Sequence, residues 1–481
     1  MKPSDIQETT AKDLPKVYQH AEVTGSLKVE DVLARALRYN LDARVAEMDE
    51  LITAEDLSIE SLNALPSVKA KIQRVGRNNR GGSSSLSLLT GLQSLQPSIS
   101  SDQYRNTQLL NVEWNLLDAG ITLGRARSTA DRVLIAQERR RKIYHNIVQD
   151  AYAAFWRVAV AQAALPMVDD LIQQSDEQIG VLDEQVKQGI APLDEVQGKK
   201  ATLLEKRKQL SDLKQGVLFA EIELKTLIDY PLDKSIAVDP GQKDWLAVGE
   251  VPKIKGDVTH LEQSAFMNRP ELREEILNKR ISVRDIKLSI IETFPGADIV
   301  LGFNRDSNSF LANKTWIDGV IGLTQSINKI ITAPARYDRA KKVDELSDRR
   351  RQALVAAIMT QVRVAKARFD FLSGSYGENE AQNKNAQDIL KRILNFQAAG
   401  MMSKPDVVNA RIDAGISTVN RALAYAELQE AYGRFITTMG VDIWDADNAS
   451  QGVPEFASQI RKNLSREDIF LIASDVGKTK E

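Results

Sequence analysis

The sequence predicts a mainly α-helical protein with a small β part, assembled from two copies of one structural unit. Three observations carry this. Two very long charged, alanine-rich stretches, about 117–188 and 333–399, read as helix. Four short segments alternate apolar and polar residues, the pattern of strands. The order of these parts occurs twice along the 481 residues.

The repeat is visible in paired stretches. "ALRYNLDARVAEMDELITAEDLSIESLNALPSVKAKI" (36–72) stands beside "AFMNRPELREEILNKRISVRDIKLSIIETFPGADIVL" (265–301). Pro66 corresponds to Pro295, an offset of 295 − 66 = 229. Farther on, "KQGIAPLDEV" (187–196) matches "AAGMMSKPDV" (398–407), and Gly400 − Gly189 is 211. The missing 18 residues (229 − 211) fall to the loop after the proline, 77–103 in the first half and about 306–314 in the second.

Each unit opens with a helix, about 28–64 and 258–293, closed by its proline, which disfavours helix in the residue before it. Strands are expected at about 67–76 and 105–116, then at 297–305 and 315–327. In "SVKAKIQRV", Val68, Ala70 and Ile72 share one face. In "LLNVEWNLL", Leu110, Val112, Trp114 and Leu116 do the same. Ile299, Leu301 and Phe303 follow in the second unit, with Ile317, Ile321 and Leu323 a weaker set. The 77–103 loop is rich in Gly, Ser and Asn and shows no core pattern. The first of the two long helices, 72 residues, would extend on the order of 108 Å at ~1.5 Å per residue. Pro166 is expected to kink the first. Returning helices follow at about 192–229 and 404–440. The expected organisation is a 1–27 extended segment, a 28–235 repeat, a 236–257 linker, a 258–440 repeat and a 441–481 tail with one short helix near 453–462.

The tight turns have a local logic. Gly189 and Gly400 suit the left-handed position that ends a helix. Pro192 fits the first turn of the next helix, with Asp194 and Glu195 near its positive end. Ser403 and Asp406, with Pro405 between them, read as a capping box. Caps alone account for these residues; a contact role for the turns is the second reading.

Composition excludes several classes. With 64 basic and 66 acidic residues, no global field points to nucleic acid. Arginine runs at 138–142 and 348–351 read as solvated helix faces. Without cysteine there is no disulfide, thiol catalysis or Cys-based zinc site, and His20, His145 and His260 show no ligand spacing. "GITLG" (120–124) lacks the phosphate-loop lysine. No enzyme, cofactor or metal is expected. No 18-residue apolar run predicts a transmembrane helix, and the first 20 residues carry no apolar core of a signal peptide. That start fits a cytosolic protein or a mature chain preceded by an added Met. Four strands with one apolar face are either a small soluble sheet under a helix or part of a closed membrane barrel made by several chains. The long polar loop beside short turns favours the barrel.

In this order, "ALRYNLDARVAE" with "ALPSVKA", "WNLLDAGI", "QGIAPLDEV", "NRPELR" with "FPGADIV", and "AAGMMSKPDVVNA" resemble the outer-membrane efflux protein family, typified by TolC, over about residues 28–440. The resemblance implies a homotrimer whose protomers each give four strands to a twelve-stranded barrel in outer-membrane lipid. It implies a periplasmic α-helical barrel whose hairpin tips dock on an adaptor (membrane fusion) protein joined to an inner-membrane pump of RND or ABC type. Gly189, Ile190, Ala191, Gly400, Met401 and Ser403 fall on those docking tips. Asp406 falls on a constriction position; Asn409 stands where the family type has a second acid. Asp194 and Glu195 fall where the first hairpin supplies gate contacts, while Gln397 and Met402 replace a Tyr and an Arg of the usual closing network. The implied function is an exit channel of an efflux pump or type I secretion system, in the outer membrane of a Gram-negative bacterium. The competing expectation is a soluble helical scaffold or a periplasmic adaptor.

Overall fold

A computed structural model describes residues 3–13, 16–17, 23, 25–189, 192–241, 250–402, 404–444 and 452–465. After α1 (Pro3–Asp13), the chain runs α2 (Val29–Tyr39), α3 (Leu41–Leu62), β1 (Ser67–Gly76), β2 (Gly82–Ser83), β3 (Ser98–Ile99), β4 (Tyr104–Asn115), α4 (Leu116–Lys187) and α5 (Leu193–Leu227). It continues as α6 (Val258–Asn268), α7 (Pro270–Ile291), β5 (Gly296–Asp306), β6 (Thr315–Thr324), α8 (Ile327–Ala398), α9 (Lys404–Thr438) and α10 (Val453–Leu464).

The two halves agree residue for residue in helix length: 11, 22, 72 and 35 residues in each. The offset is 258 − 29 = 229 from α2 to α6 and 327 − 116 = 211 from α4 to α8. The whole difference therefore lies in the loop that follows the first strand of each half.

Several boundaries differ from the sequence reading, each for a local reason. The expected rising helices are each two helices. Asn40 breaks the first: its side-chain oxygen accepts from Asp42 N at 2.9 Å and starts α3. Pro270 opens α7 at the position where a missing N–H costs nothing. Strand β4 stops at Asn115, one residue early, because Asn115 Oδ1 accepts from Asp118 N at 2.8 Å and caps α4. Likewise β6 ends at Thr324 rather than 327, and α8 begins at Ile327 rather than 333, with Ser326 O accepting from Lys329 N at 3.1 Å. Pro334 lies inside α8 and Pro166 inside α4. The 1–27 stretch is not simply extended. Its Pro3–Asp13 portion is helical, opened by a proline and stitched by a Lys12–Glu8 pair at 2.7 Å.

The chain divides into two compact units. The first comprises 1–49, 137–273 and 352–481 and holds the main core. Phe155, Leu224, Leu261, Ile358 and Phe435 are fully buried there, on α4, α5, α6, α8 and α9. Helix α10 adds Phe456 and Ile460 to the same core beside α2. Helix α4 holds an 18-residue window of mean hydropathy 1.2, but 67% of that window is buried in the protein. Its alanines and aromatics face other helices, which makes it a core helix. A second apolar cluster joins α4, α5 and α9 through Leu171, Leu182, Val196, Leu203, Leu210 and Ile412.

The second unit, 50–136 and 274–351, contains an antiparallel sheet in the order β1-β4-β5-β6. Ion pairs link its helices. Asp131 takes Arg280 and also Arg284 at 2.9 Å, and Glu292 takes Arg125 at 2.6 Å and Arg336 at 3.2 Å. Burial opposes the charge on Asp131, yet the two guanidinium groups hold its carboxyl below the usual range.

Candidate functional site

The two interhelical turns are built alike. Gly189 has φ of 67° and its N–H reaches Val186 O at 3.1 Å. Gly400 has φ of 73°; its N–H reaches Gln397 O and the Met401 N–H reaches Phe396 O, both at 2.9 Å. This pair of bonds closes the last turn of α8 and requires the left-handed backbone that glycine tolerates. Pro192 stands one residue before α5, with an extended backbone, rather than inside its first turn. Pro405 does sit in the first turn of α9.

Gly189, Asp194, Gly400, Met401 and Asp406 are exposed, while Asn409 and Gln397 are half-buried. The Asn409 side-chain oxygen is buried without a hydrogen-bond partner among the described residues. Met402 is 36% exposed. Ile190, Ala191 and Ser403 lie outside the described residues, as does the Glu195 side chain, so the expected Ser403–Asp406 box does too. The flanks of the first turn, Val186 and Val196, share one apolar cluster with Val408 and Ile412 at the start of α9. Lys206 of α5 reaches Asp413 of α9 at 2.6 Å. The start of α9, with Asp406 and Asn409, is thus packed beside the first hairpin.

Sequence reading missed a ladder along that hairpin. Lys200 pairs with Asp183 at 2.6 Å, Arg207 with Asp176 at 2.5 Å, and Lys214 with Asp169 at 2.7 Å. Successive rungs are seven residues apart on each helix, the spacing of an antiparallel coiled coil. The heptad recurrence of Asp on α4 and of Lys or Arg on α5 was the available signal. Adding 211 to the middle rung gives Gln387 and Thr418, and these two are hydrogen-bonded at 3.0 Å. The second hairpin carries a neutral rung where the first carries an ion pair. Also unread were Gly415 and Gly433 inside α9, which let Leu171 and Tyr152 of α4 approach its backbone.

The sheet supplies the other candidate surface. Registered partners put Val68 opposite Val112, then Leu301. Ala70 stands opposite Leu110, then Phe303, then Ile317. Trp114 faces Ile299, then Ile321. One face is therefore a continuous apolar band, and Ile72, Ile321 and Leu323 on it are 79%, 84% and 78% exposed. The other face mixes Lys69, Asn111, Glu113, Asn304 and Asp318 with Leu109, Val300, Trp316 and Val320, and Lys69 and Glu113 pair at 2.6 Å. Among the described residues β1 and β6 each pair along one side only.

Long two-helix hairpins with Gly turns, an open four-stranded sheet with a bare apolar face, and an internal duplication define the TolC-like fold. The model of the outer membrane efflux protein family matches residues 32–228. Solved structures share the fold well beyond that stretch. The Campylobacter jejuni CmeC outer membrane channel is 13% identical, with TM-score 0.68, covering 92% of this chain and 94% of its own. The open-state Neisseria gonorrhoeae MtrE outer membrane channel is 16% identical, with TM-score 0.67, covering 88% and 94%. The outer-membrane channel OprN is 14% identical, with TM-score 0.65, covering 86% and 89%. No curated protein matches the chain. Residues 32–228 thus resemble the outer membrane efflux protein family, and the fold over most of the chain is that of the TolC-like channels.

Proposed function

We propose that three copies of this chain close a twelve-stranded barrel in the outer membrane of a Gram-negative bacterium. The helical hairpins extend into the periplasm and form an exit duct for a pump of the inner membrane. One observation carries the barrel: the apolar face of the sheet is bare while both edge strands lack a second partner. In hydrocarbon an unpaired strand edge leaves backbone groups without hydrogen bonds, so the sheet must close on copies of itself. The other face then lines the lumen.

The Gly189 and Gly400 turns form the periplasmic end. Ile190, Ala191, Met401 and Ser403 complete a docking surface for a periplasmic adaptor protein, which links the duct to an RND-type or ABC-type pump. Asp406, repeated by threefold symmetry, sets a ring of carboxylates that attracts cations and binds divalent ions. Asn409, one turn on, adds a neutral ring, and Asp194 and Glu195 contribute from the first hairpin. Adaptor and pump engagement opens this end. The test is direct: detergent-purified protein is expected as a trimer that conducts ions in planar bilayers, and a non-conducting monomer in plain buffer would overturn the proposal.

A further inference from the structure

The 77–103 loop is not featureless. β2 and β3 pair within it, and the ladder continues through Leu86 opposite Gln93 and the Ser94 N–H to Ser85 O bond at 2.9 Å. Ser87 N reaches Leu92 O at 2.9 Å, and Gly91, with φ of 66°, closes the tip. Leu88 and Leu89 occupy that tip at 101% and 98% exposure, and Leu95 is 101% exposed. Leu86 and Leu92 are exposed beside them. No charged residue occurs from Gly81 to Ser101. Exposed Arg77 and Arg80 stand at the base.

The base is fixed. Asn308 Nδ2 donates to Ser100 O and Asp102 N donates to Asn308 Oδ1, both at 3.1 Å. Ser309 Oγ donates to Asp102 Oδ1 at 2.7 Å, which engages that carboxylate. An uncharged, leucine-tipped hairpin in water is costly, and exposed apolar clusters mark a binding surface. Leucines above a basic base are the arrangement that lies in a lipid interface: apolar side chains enter the acyl layer and guanidinium groups meet phosphates.

We infer that the 81–101 hairpin is a membrane-surface anchor, with Leu88 and Leu89 inserted among acyl chains and Arg77 and Arg80 on lipid phosphates. The inference rests on the barrel reading above, which places this end of the sheet at the membrane surface.

The chain has no cysteine, so single cysteines can carry nitroxide labels. Thr90→Cys reports the tip and Ile321→Cys the barrel face, in trimers reconstituted into phosphatidylethanolamine–phosphatidylglycerol vesicles. Both labels are expected to collide with oxygen and to be shielded from a water-soluble nickel chelate. Leu88→Ser with Leu89→Ser should raise nickel collisions at the tip by at least about tenfold, the partition shift that losing even one leucine burial produces. Arg77→Gln with Arg80→Gln should remove any dependence of shielding on phosphatidylglycerol. A shielded Ile321 with a water-exposed Thr90 overturns the anchor and leaves the barrel. A Thr90 label closed to both colliders means a protein contact and overturns it as well. A water-exposed Ile321 overturns the barrel and the anchor together.

Discussion

Gly415 of α9 lies against Leu171 of α4, with the Leu171 Cγ 3.4 Å from where a Gly415 Cβ would stand. The hydrogen in place of a side chain lets two helices of the second apolar cluster meet closely. Gly415→Val should overpack this contact and destabilise the protein by about 1–3 kcal/mol. A lowered thermal transition of the purified protein checks it; an unchanged transition means the helices separate without cost.

The hairpin turns give a second prediction. With φ of 67° at Gly189 and 73° at Gly400, a β-branched residue at either must distort the turn. Gly189→Val or Gly400→Val is expected to abolish export while trimers remain, since local backbone strain of about 1–3 kcal/mol does not unfold a protein of this size. An export assay beside trimer quantification reads the outcome; export at full rate would remove the tips from the docking surface.

If Asp406 forms the proposed ring, Asp406→Ala should weaken block by divalent cations several-fold and lower cation selectivity, because three carboxylates would leave at once. Single-channel recording with and without added divalent cation measures both. Asn409→Asp should strengthen the same block by adding a second ring one turn away.

The pH response follows from Asp442. Arg141 Nε contacts its carboxylate at 2.7 and 2.8 Å, and His145 Nε2 lies 2.8 Å from Oδ1. Burial raises its pKa, but His145 and Arg141 outweigh burial and hold the carboxyl below the usual aspartate range. A carboxylate depressed on folding stabilises the protein above its unfolded pKa and loses that contribution as pH falls through the lower folded value. The clamp on 441–444 should therefore be intact from neutrality down to about pH 4 and be lost below it. Asp442→Asn should lower the melting temperature at neutral pH, with the difference from wild type vanishing in strong acid.

Much of this was legible in the residues. The prolines and glycines gave the duplication and its 18-residue defect, because Pro66, Pro295, Gly189 and Gly400 punctuate backbone where few other residues fit. Strand faces followed from the alternation of Val68, Ala70 and Ile72. What stayed hidden was set by side chains that end an element. Leu116 continues the apolar alternation of β4, so nothing in period two reveals that Asn115 has already capped α4. Asn40 and Pro270 split their helices in the same way. The leucine-tipped hairpin was hidden because its serines and glycines look like any loop. A constriction role for Asp406 and Asn409 was read from the resemblance alone; their chemistry, an acid and an amide on a helix start, is common.

The unequal rungs of the two hairpins have a consequence of their own. Three exposed ion pairs between α4 and α5 weaken as ionic strength rises, whereas the Gln387–Thr418 bond between α8 and α9 is indifferent to it. Added electrolyte therefore softens one limb of a duplicated architecture and spares its twin, so that two segments of identical length acquire different stiffness from the same bath.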